Sequence, residues 1–411
     1  ISVNIFYGWY IVELNQLFQV ALGISSPWYI DAVQLDDAKK RLEIKIDFTV
    51  GAKFCCPNCQ SECSAYDTQE KRWQHLNFFN YCCYLSARIP RVKCNQCGKT
   101  RQVETPFARE GSGFSLLLEC MMLSLAKIMP VNEVAKLFNI SDDRVWTVIH
   151  YYVPKAVEAM DWSTVKNIGI DETSRKKGHN YVTTVTDLDN SKVIYVTVGK
   201  DSTTVDNFRT ELERRNLNVD QITNICSDLS PAFILGIKTN FPKANHTFDK
   251  FHVVKIVNNA VDEVRAKESK TNELILKSKY SLLKNPENLT ANQKIKLDSI
   301  LAEYTQSGEA YRLKLGFQAL FKLPSRAEAE LYLTDWISLV QARAIPQMKR
   351  LAKSIKRHWS GILNWFDNNI SNGKVEALNC GIQNLKRRAK GFRTLTNFKA
   401  LIYLVMGKLS F

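Results

Sequence analysis

Ile168-Gly169-Ile170-Asp171-Glu172 opens the stretch on which the fold of this chain turns. Two β-branched runs follow, Tyr181-Val182-Thr183-Thr184-Val185-Thr186 and Val193-Ile194-Tyr195-Val196-Thr197-Val198, joined by the turn-rich Asp187-Leu188-Asp189-Asn190-Ser191. The pattern predicts three consecutive strands, the first stopping on a carboxylate pair. Residues 221–227 predict another strand, again stopping on an acid, Asp228, ahead of a helix with Ser230 as N-cap and Pro231 at its first position. A carboxylate at the end of a strand is rigidly held yet reaches solvent, as a metal ligand must. One such acid is commonly just a solvated strand end. Two of them in one sheet form a constellation.

Downstream, Asn245-His246-Thr247-Phe248 predicts a short fifth strand, and a helix begins at Asp249 with apolar positions at Val254, Val257, Val261 and Val264. His252 on that helix could contact substrate, but a lone His on a valine-rich helix is more often a packed residue, and it is not read as catalytic. Residues 266–353 are helical in pattern throughout and predict an α-helical insertion that adds no strand. Between Trp336 and Phe411 there are fourteen Lys and Arg but only two acids, Asp367 and Glu376. Such a segment suits phosphate binding, and an acid kept within it needs a reason. Glu376 follows Ser371-Asn372-Gly373-Lys374-Val375 at the start of a helix. That helix carries Val375, Leu378, Ile382 and Leu385 on one face, and Glu376, Asn379, Gln383 and Arg387 on the other. Glu376 is the expected third metal ligand. Lys386, Arg387, Arg388, Lys390 and Arg393 extend the basic surface as candidate DNA contacts.

Upstream, residues 28–50 predict a β-hairpin turning near Asp36-Asp37. Cys56-Pro57-Asn58-Cys59 and Cys94-Asn95-Gln96-Cys97-Gly98 are two CxxC knuckles, and four thiolates so paired predict a structural Zn²⁺ site of the ribbon type. A small strand pair is expected between the knuckles. Cys55, Cys63, Cys82, Cys83 and His75 are read as bystanders or core. Residues 131–151 predict a helix-turn-helix, with the turn at Asn139-Ile140 and Arg144 on the second helix as a candidate DNA contact. Asp142 and Asp143 at the start of that helix would face phosphates, which argues against direct base reading.

The bulk properties agree. The chain has 411 residues, a net charge of +15 and pI ≈ 9.2, which favour nucleic acid as partner. Eight of eleven cysteines lie between Cys55 and Cys97, a local site rather than a disulfide framework. No run of residues reads as a membrane span, so a cytoplasmic protein is expected. The chain opens on Ile1 and its first Met is Met121, so residues 1 to about 13 carry no functional assignment.

The order of strands and helices, with acids at Asp171, Asp228 and Glu376, resembles the ribonuclease-H-like core of DDE transposases. The CPxC…CxxCG ribbon, Gly169-Ile170-Asp171-Glu172, Ser227-Asp228-Leu229-Ser230 and Asp249-Lys250-Phe251-His252-Val253 narrow the resemblance to the ISL-three family of bacterial insertion-sequence transposases. Residues 371–376 and the Lys386–Arg393 segment agree, whereas Ala377 and Cys380 stand where that family leads one to expect glycine and asparagine. The resemblance implies an α/β fold: a mixed ribonuclease-H-like sheet interrupted by an α-helical insertion and preceded by a zinc ribbon and a helix-turn-helix. The expected regions are an N-terminal hairpin (1–50), ribbon (51–106), helix-turn-helix (107–160), first part of the core (161–265), insertion (266–353) and final core helices with a basic tail (354–411). It also implies two Mg²⁺ or Mn²⁺ ions about 4 Å apart, Asp171 bridging both with Asp228 and Glu376 completing one each. The three carboxylates, 57 and 148 residues apart along the chain, should then converge within about 4–8 Å. The implied reactions are hydrolysis at the element's ends and attack of the freed 3′-hydroxyl on target DNA, by a homodimer or higher assembly. Charge and cysteines alone also fit a non-catalytic zinc-ribbon and helix-turn-helix regulator, and an inactive domesticated transposase would keep the same geometry.

Overall fold

The structure is a computed structural model that describes residues 13–176, 180–368, 370 and 373–411. Residues 1–12 of the unassigned opening, and Ser371-Asn372 ahead of Glu376, lie outside the described residues. The chain divides into two compact units, residues 1–150 and 151–411. Among the described residues no helix is long and apolar enough to cross a membrane.

In the first unit, α1 (Leu14–Ala21) precedes the hairpin of β1 (Trp28–Asp36) and β2 (Arg41–Phe48), followed by β3 (Lys53–Cys55), β4 (Glu62–Gln74), β5 (Cys82–Lys93) and β6 (Thr100–Gln102). The sheet order is β1-β2-β5-β4-β3, with β6 on the far end of β5. Two expectations are corrected here. The strand pair between the knuckles is long, 13 and 12 residues. The hairpin is also not separate from the ribbon, because β2 pairs in parallel with β5, Ile44 opposite Leu85. Alternation explains the join: Leu42, Ile44 and Ile46 on β2 and Cys83, Leu85, Ala87 and Ile89 on β5 are buried in one core with Trp28 and Trp73. Helices α2 (Leu116–Ile128), α3 (Val131–Leu137) and α4 (Asp142–Glu158) follow. The chain turns between α3 and α4 at Asn139, whose φ of 53° is a left-handed value that asparagine tolerates better than most residues. The helix-turn-helix expected over 131–151 is thus present.

The second unit holds a five-stranded sheet of β7 (Asn167–Lys176), β8 (Asn180–Asp187), β9 (Lys192–Val198), β10 (Asn224–Ser227) and β11 (Asn245–Phe248), in the order β11-β10-β7-β8-β9. The first three form an antiparallel meander, while β10 and β11 run parallel to β7. Helices α5 (Thr203–Arg214) and α6 (Pro231–Asn240) lie between these strands in the chain. Phe208, Leu212, Phe233 and Ile237 from them share a core with Ile168, Ile170, Val185 and Ile225 of the sheet. The strand expected over 221–227 is shorter, because residues 219–221 form a 3₁₀ turn in which Gln221 Nε2 donates to the carbonyls of Trp162 and Val165.

After α7 (Lys250–Glu268) come α8 (Lys279–Leu283), α9 (Ala291–Ala302), α10 (Gln306–Leu320), α11 (Arg326–Ala342), α12 (Pro346–Arg357) and α13 (Trp359–Asn368). No strand occurs among the described residues of 266–353. The expected edges of the insertion, 265/266 and 353/354, fall inside α7 and α12, because Val253, Val257, Val261, Met348, Leu351 and Ile355 share a core with Phe317 and Trp336. α14 (Gly373–Arg388) and α15 (Leu395–Met406) return to the sheet, where buried Tyr403 Oη accepts from the Val196 amide at 2.9 Å.

Candidate active site

Parallel pairing puts the first two acids side by side. β10 registers on β7 from Asn224 opposite Asn167 to Ser227 opposite Ile170, and there the pairing ends. Asp171 and Asp228 are the residues that follow this last pair. Asp171 is not at the end of β7, as the sequence led one to expect. The strand continues to Lys176 because β8 keeps pairing with it, Thr173 opposite Val182. Asp171 instead marks the point where β7 loses its parallel neighbour, the kind of position at which α/β sheets hold ligands.

Asp171 is buried, and burial pushes its carboxyl up to about 6, with the Asp228 carboxylate adding to the rise. Its Oδ1 accepts from the Glu172 amide at 2.7 Å and its Oδ2 from Asn379 Nδ2 at 2.7 Å. Asp228 Oδ1 accepts from the Ser230 amide at 3.0 Å, a short turn that starts α6 behind Pro231. Glu376 stands in the first turn of α14, half-buried, and its carboxyl is raised by burial and then by Asp249. Burial also raises Glu172.

The polar face of α14 lies along β7. Asn379 reaches Asp171, and Gln383 Nε2 donates to Thr173 Oγ1. The match is geometric: four residues of helix advance about 6 Å and two residues of strand about 6.6 Å, so positions i and i+4 of one meet i and i+2 of the other. Val375, Ile382 and Leu385 are buried on the opposite face, as expected.

Two further titratable residues, Asp249 and His252, lie at the start of α7, just past β11, which neighbours β10. Asp249 is fully buried, and its Oδ2 lies 2.9 Å from His252 Nδ1. His252 is not packed away: its side chain is 29% exposed. The hydrogen bond to Asp249 holds its imidazole above the usual range, and Asp228 and Asp171 contribute in the same sense. The i, i+3 spacing of an acid and a histidine across a helix N-terminus was the available signal.

Of the candidate DNA contacts, Lys386 is tied down, with Nζ donating to the Ser174 carbonyl at 2.8 Å. Arg387, Arg388, Lys390 and Arg393 are exposed. In the first unit, Arg144 is exposed and lies over the Phe114 ring at 4.1 Å.

Among the described residues, Cys56, Cys59, Cys94 and Cys97 are the set of three or more His, Cys, Asp or Glu whose ligand atoms all lie within 4.8 Å of one another. Asp171, Asp228 and Glu376 do not form such a set among the described residues. Cys56 and Cys97 sulfurs are 3.8 Å apart and those of Cys59 and Cys94 3.4 Å. Tetrahedral Zn²⁺ with bonds of about 2.3 Å sets its sulfurs about 3.8 Å apart, so the four fit a structural zinc. Ser61 Oγ, 3.0 Å from the Cys94 sulfur, and nearby backbone amides hold that thiol down at about 5. Among the bystanders, Cys63 and Cys83 are buried, Cys82 is half-buried and Cys55 exposed. His75 is buried against Ser115 Oγ, 2.7 Å from its Nδ1.

Comparison with known proteins bears on the whole chain. Residues 52–97 match the zinc finger of the transposases IS204, IS1001, IS1096 and IS1165, and residues 103–153 the helix-turn-helix domain of transposase family ISL3. Residues 168–402 match the DDE transposase domain of that family, described as "Transposase". The transposase for insertion sequence element IS1557 of Mycobacterium tuberculosis is 28% identical over 95% of this chain and 94% of its own length. That for IS1001 of Bordetella parapertussis is 26% identical over 92% and 95%. The ribbon, the helix-turn-helix and the interrupted mixed sheet therefore occur here in one known arrangement, and the chain belongs to the ISL3 family of insertion-sequence transposases.

Proposed function

We propose that the protein cuts DNA at the ends of an insertion sequence and joins the freed 3′ ends to target DNA, with Asp171, Asp228 and Glu376 as the ligands of two Mg²⁺ or Mn²⁺ ions. The observation that carries this reading is the register of β7 and β10, which sets Asp171 and Asp228 next to each other where the parallel pairing stops. The donor set is all carboxylate oxygen, which selects hard divalent cations. When bound, such ions activate a water or 3′-hydroxyl and stabilise the leaving oxygen in an in-line phosphoryl displacement. The chain's own part is to fix the ligands. Asn379 and the Glu172 amide orient Asp171, the Ser230 amide orients Asp228, and α14 carries Glu376 alongside β7. The zinc ribbon and helix-turn-helix bind the element's ends, with Arg144 among their contacts. Arg387, Arg388, Lys390 and Arg393 bind the phosphate backbone. Two ends are handled together by a homodimer or larger assembly acting in the cytoplasm.

The test is cleavage of labelled element ends by the purified protein in Mg²⁺. Asp171→Asn, Asp228→Asn and Glu376→Gln should each abolish cleavage and leave end binding intact. Near-normal cleavage by Glu376→Gln would remove the third ligand and the mechanism with it. A wild-type protein that binds ends without cutting them would favour a non-catalytic regulator.

A further inference from the structure

The two faces of the sheet in the second unit have different covers. Val375 of α14 is buried with Cys226 and Leu188, whereas Phe233 and Ile237 of α6 are buried with Ile225. Ile225 and Cys226 are successive residues of β10 and point to opposite faces, so α14 and α6 lie on opposite sides of the sheet. The exposed Arg387 and Arg388 of α14 thus stand on the side away from α6. The edge strand β11 is closed by α13. Asn364 Nδ2 donates to the His246 carbonyl at 2.8 Å, and Gly361 sits where any side chain would strike the Phe248 ring.

Between the far end of α6 and the junction of α12 with α13 lies a groove of about 680 Å³. Its floor is apolar, with Ile237, Phe241 and Phe248, and its rim carries Lys238, Arg357 and Ser360. Among the described residues no acid lines it. Arg357 ends α12, which buries Met348, Leu351, Ala352 and Ile355 and turns Arg350, Lys353, Lys356 and Arg357 outward. Arg350 is paired with Glu263 at 2.7 Å, whereas Lys238, Lys353, Lys356 and Arg357 have no ion-pair partner among the described residues. The sequence from Trp336 to Phe366 contains no acid. A cation in the last turn of a helix is commonly just a complement to the helix dipole. That reading covers Lys356 and Arg357, but not Lys353 one turn earlier, nor two helix ends that bring their cations to one groove without an acid. Like charges gathered without partners repel one another, and a polyanion relieves that repulsion.

We propose that this groove and the outer face of α12 hold a second DNA duplex by its phosphate backbone, on the side of the sheet away from α14. Lys238, Lys353, Lys356 and Arg357 supply the charge, and the Ser360 hydroxyl is a further phosphate donor. Contacts of this kind position a duplex without reading its sequence. The duplex held is therefore one of any sequence, as a target is and an element end is not. This rests on the reading of the protein as one that joins element ends to other DNA.

The test is binding of a labelled duplex of unrelated sequence by the full chain in EDTA, with and without a saturating unlabelled element-end duplex. Wild type should bind it in both cases. Lys353→Ala, Lys356→Ala and Arg357→Ala together should lower the slope of log affinity against log salt by about 2–3, and Lys238→Ala alone by about one. Binding of labelled element ends should be unchanged in both variants. Lys267→Ala, Lys270→Ala and Lys294→Ala together remove an equal exposed charge from the helical insertion and should leave the slope near wild type. A folded α12 variant with the wild-type slope overturns the proposal, and so does a control variant whose slope falls equally. Exclusion of the unrelated duplex by saturating ends, or an equal loss of end binding in the α12 variant, gives the groove to the ends and overturns the second duplex. Failure of wild type to bind element ends overturns the end-binding reading instead, and the slope measured without ends still decides the groove.

Discussion

Asn379 Nδ2 donates to Asp171 Oδ2 at 2.7 Å, joining residues 208 positions apart and fixing α14 to the centre of the sheet. The bond aims one carboxylate oxygen, while the Glu172 amide holds the other. Partners of this kind orient a metal ligand, and their loss typically lowers metal affinity or activity 10–100-fold. Asn379→Ala should therefore raise the Mg²⁺ concentration needed for half-maximal cleavage by about 10–100-fold. End binding should be unchanged, and a Mg²⁺ titration of cleavage checks it.

The burial of Asp171 has a cost that depends on pH. Its carboxyl rises from the usual 3.8 to about 6 in the fold. Between those values the folded chain holds a proton that the unfolded chain has released. The sign follows: the protonated carboxyl is tolerated at low pH, and stability is lost as pH rises through 4 towards 6. Asp171→Asn removes the titration. In metal-free protein its advantage over wild type should be small near pH 4 and reach up to about 2–3 kcal/mol at pH 7. Melting temperatures of both proteins at the two pH values test this, and added Mg²⁺ should stabilise wild type more than the variant.

Much of this site could be read from residue order alone, for reasons tied to local pattern. The runs at residues 181–186 and 193–198 alternate with period two and are bounded by turn residues, so β8 and β9 follow directly. The two CxxC pairs impose their own geometry. What escaped depends on partners distant in sequence. Asp171-Glu172 reads as a strand end because acids are poor strand formers, yet pairing with β8 carries β7 on to Lys176. The union of the hairpin with the ribbon rests on β2 meeting β5 some 40 residues later, which no local pattern reports. The Asp249–His252 contact is equally hard to read locally: the valines that follow on α7 are buried and suggest packing, while the histidine bonds to Asp249 and stays partly exposed.

The zinc site should be separable from the catalytic unit. Cys56, Cys59, Cys94 and Cys97 hold the ends of β3, β4 and β5 together, and the thiolates must be deprotonated to bind, so metal binding and folding are linked there. One zinc per chain is expected in freshly purified, reduced protein. Cys94→Ser, or a strong chelator, should unfold the ribbon and abolish end recognition. Residues 151–411 have their own cores and should stay folded, so protease digestion ought to yield a resistant fragment of that unit.

Basic residues on α14 divide into two kinds, and the division can be measured. Lys386 donates to both the carbonyl and the hydroxyl of Ser174, at 2.8 and 3.2 Å, so its charge caps the exposed part of β7. Arg387 is exposed in the last turn of the same helix, and exposed Lys390 and Arg393 follow it. A residue that contacts phosphate releases about one counterion on binding, so its removal lowers the slope of log affinity against log salt by about 0.9. Arg387→Ala, Lys390→Ala and Arg393→Ala together should lower that slope by about 2–3 and leave the melting temperature near wild type. Lys386→Met should do the reverse. It should loosen α14 from β7, lower the melting temperature and reduce cleavage through Asn379 and Glu376, with the salt slope little changed. A Lys386→Met protein with wild-type stability and a slope lower by about one would instead make this lysine a DNA contact that turns away from Ser174 when DNA binds.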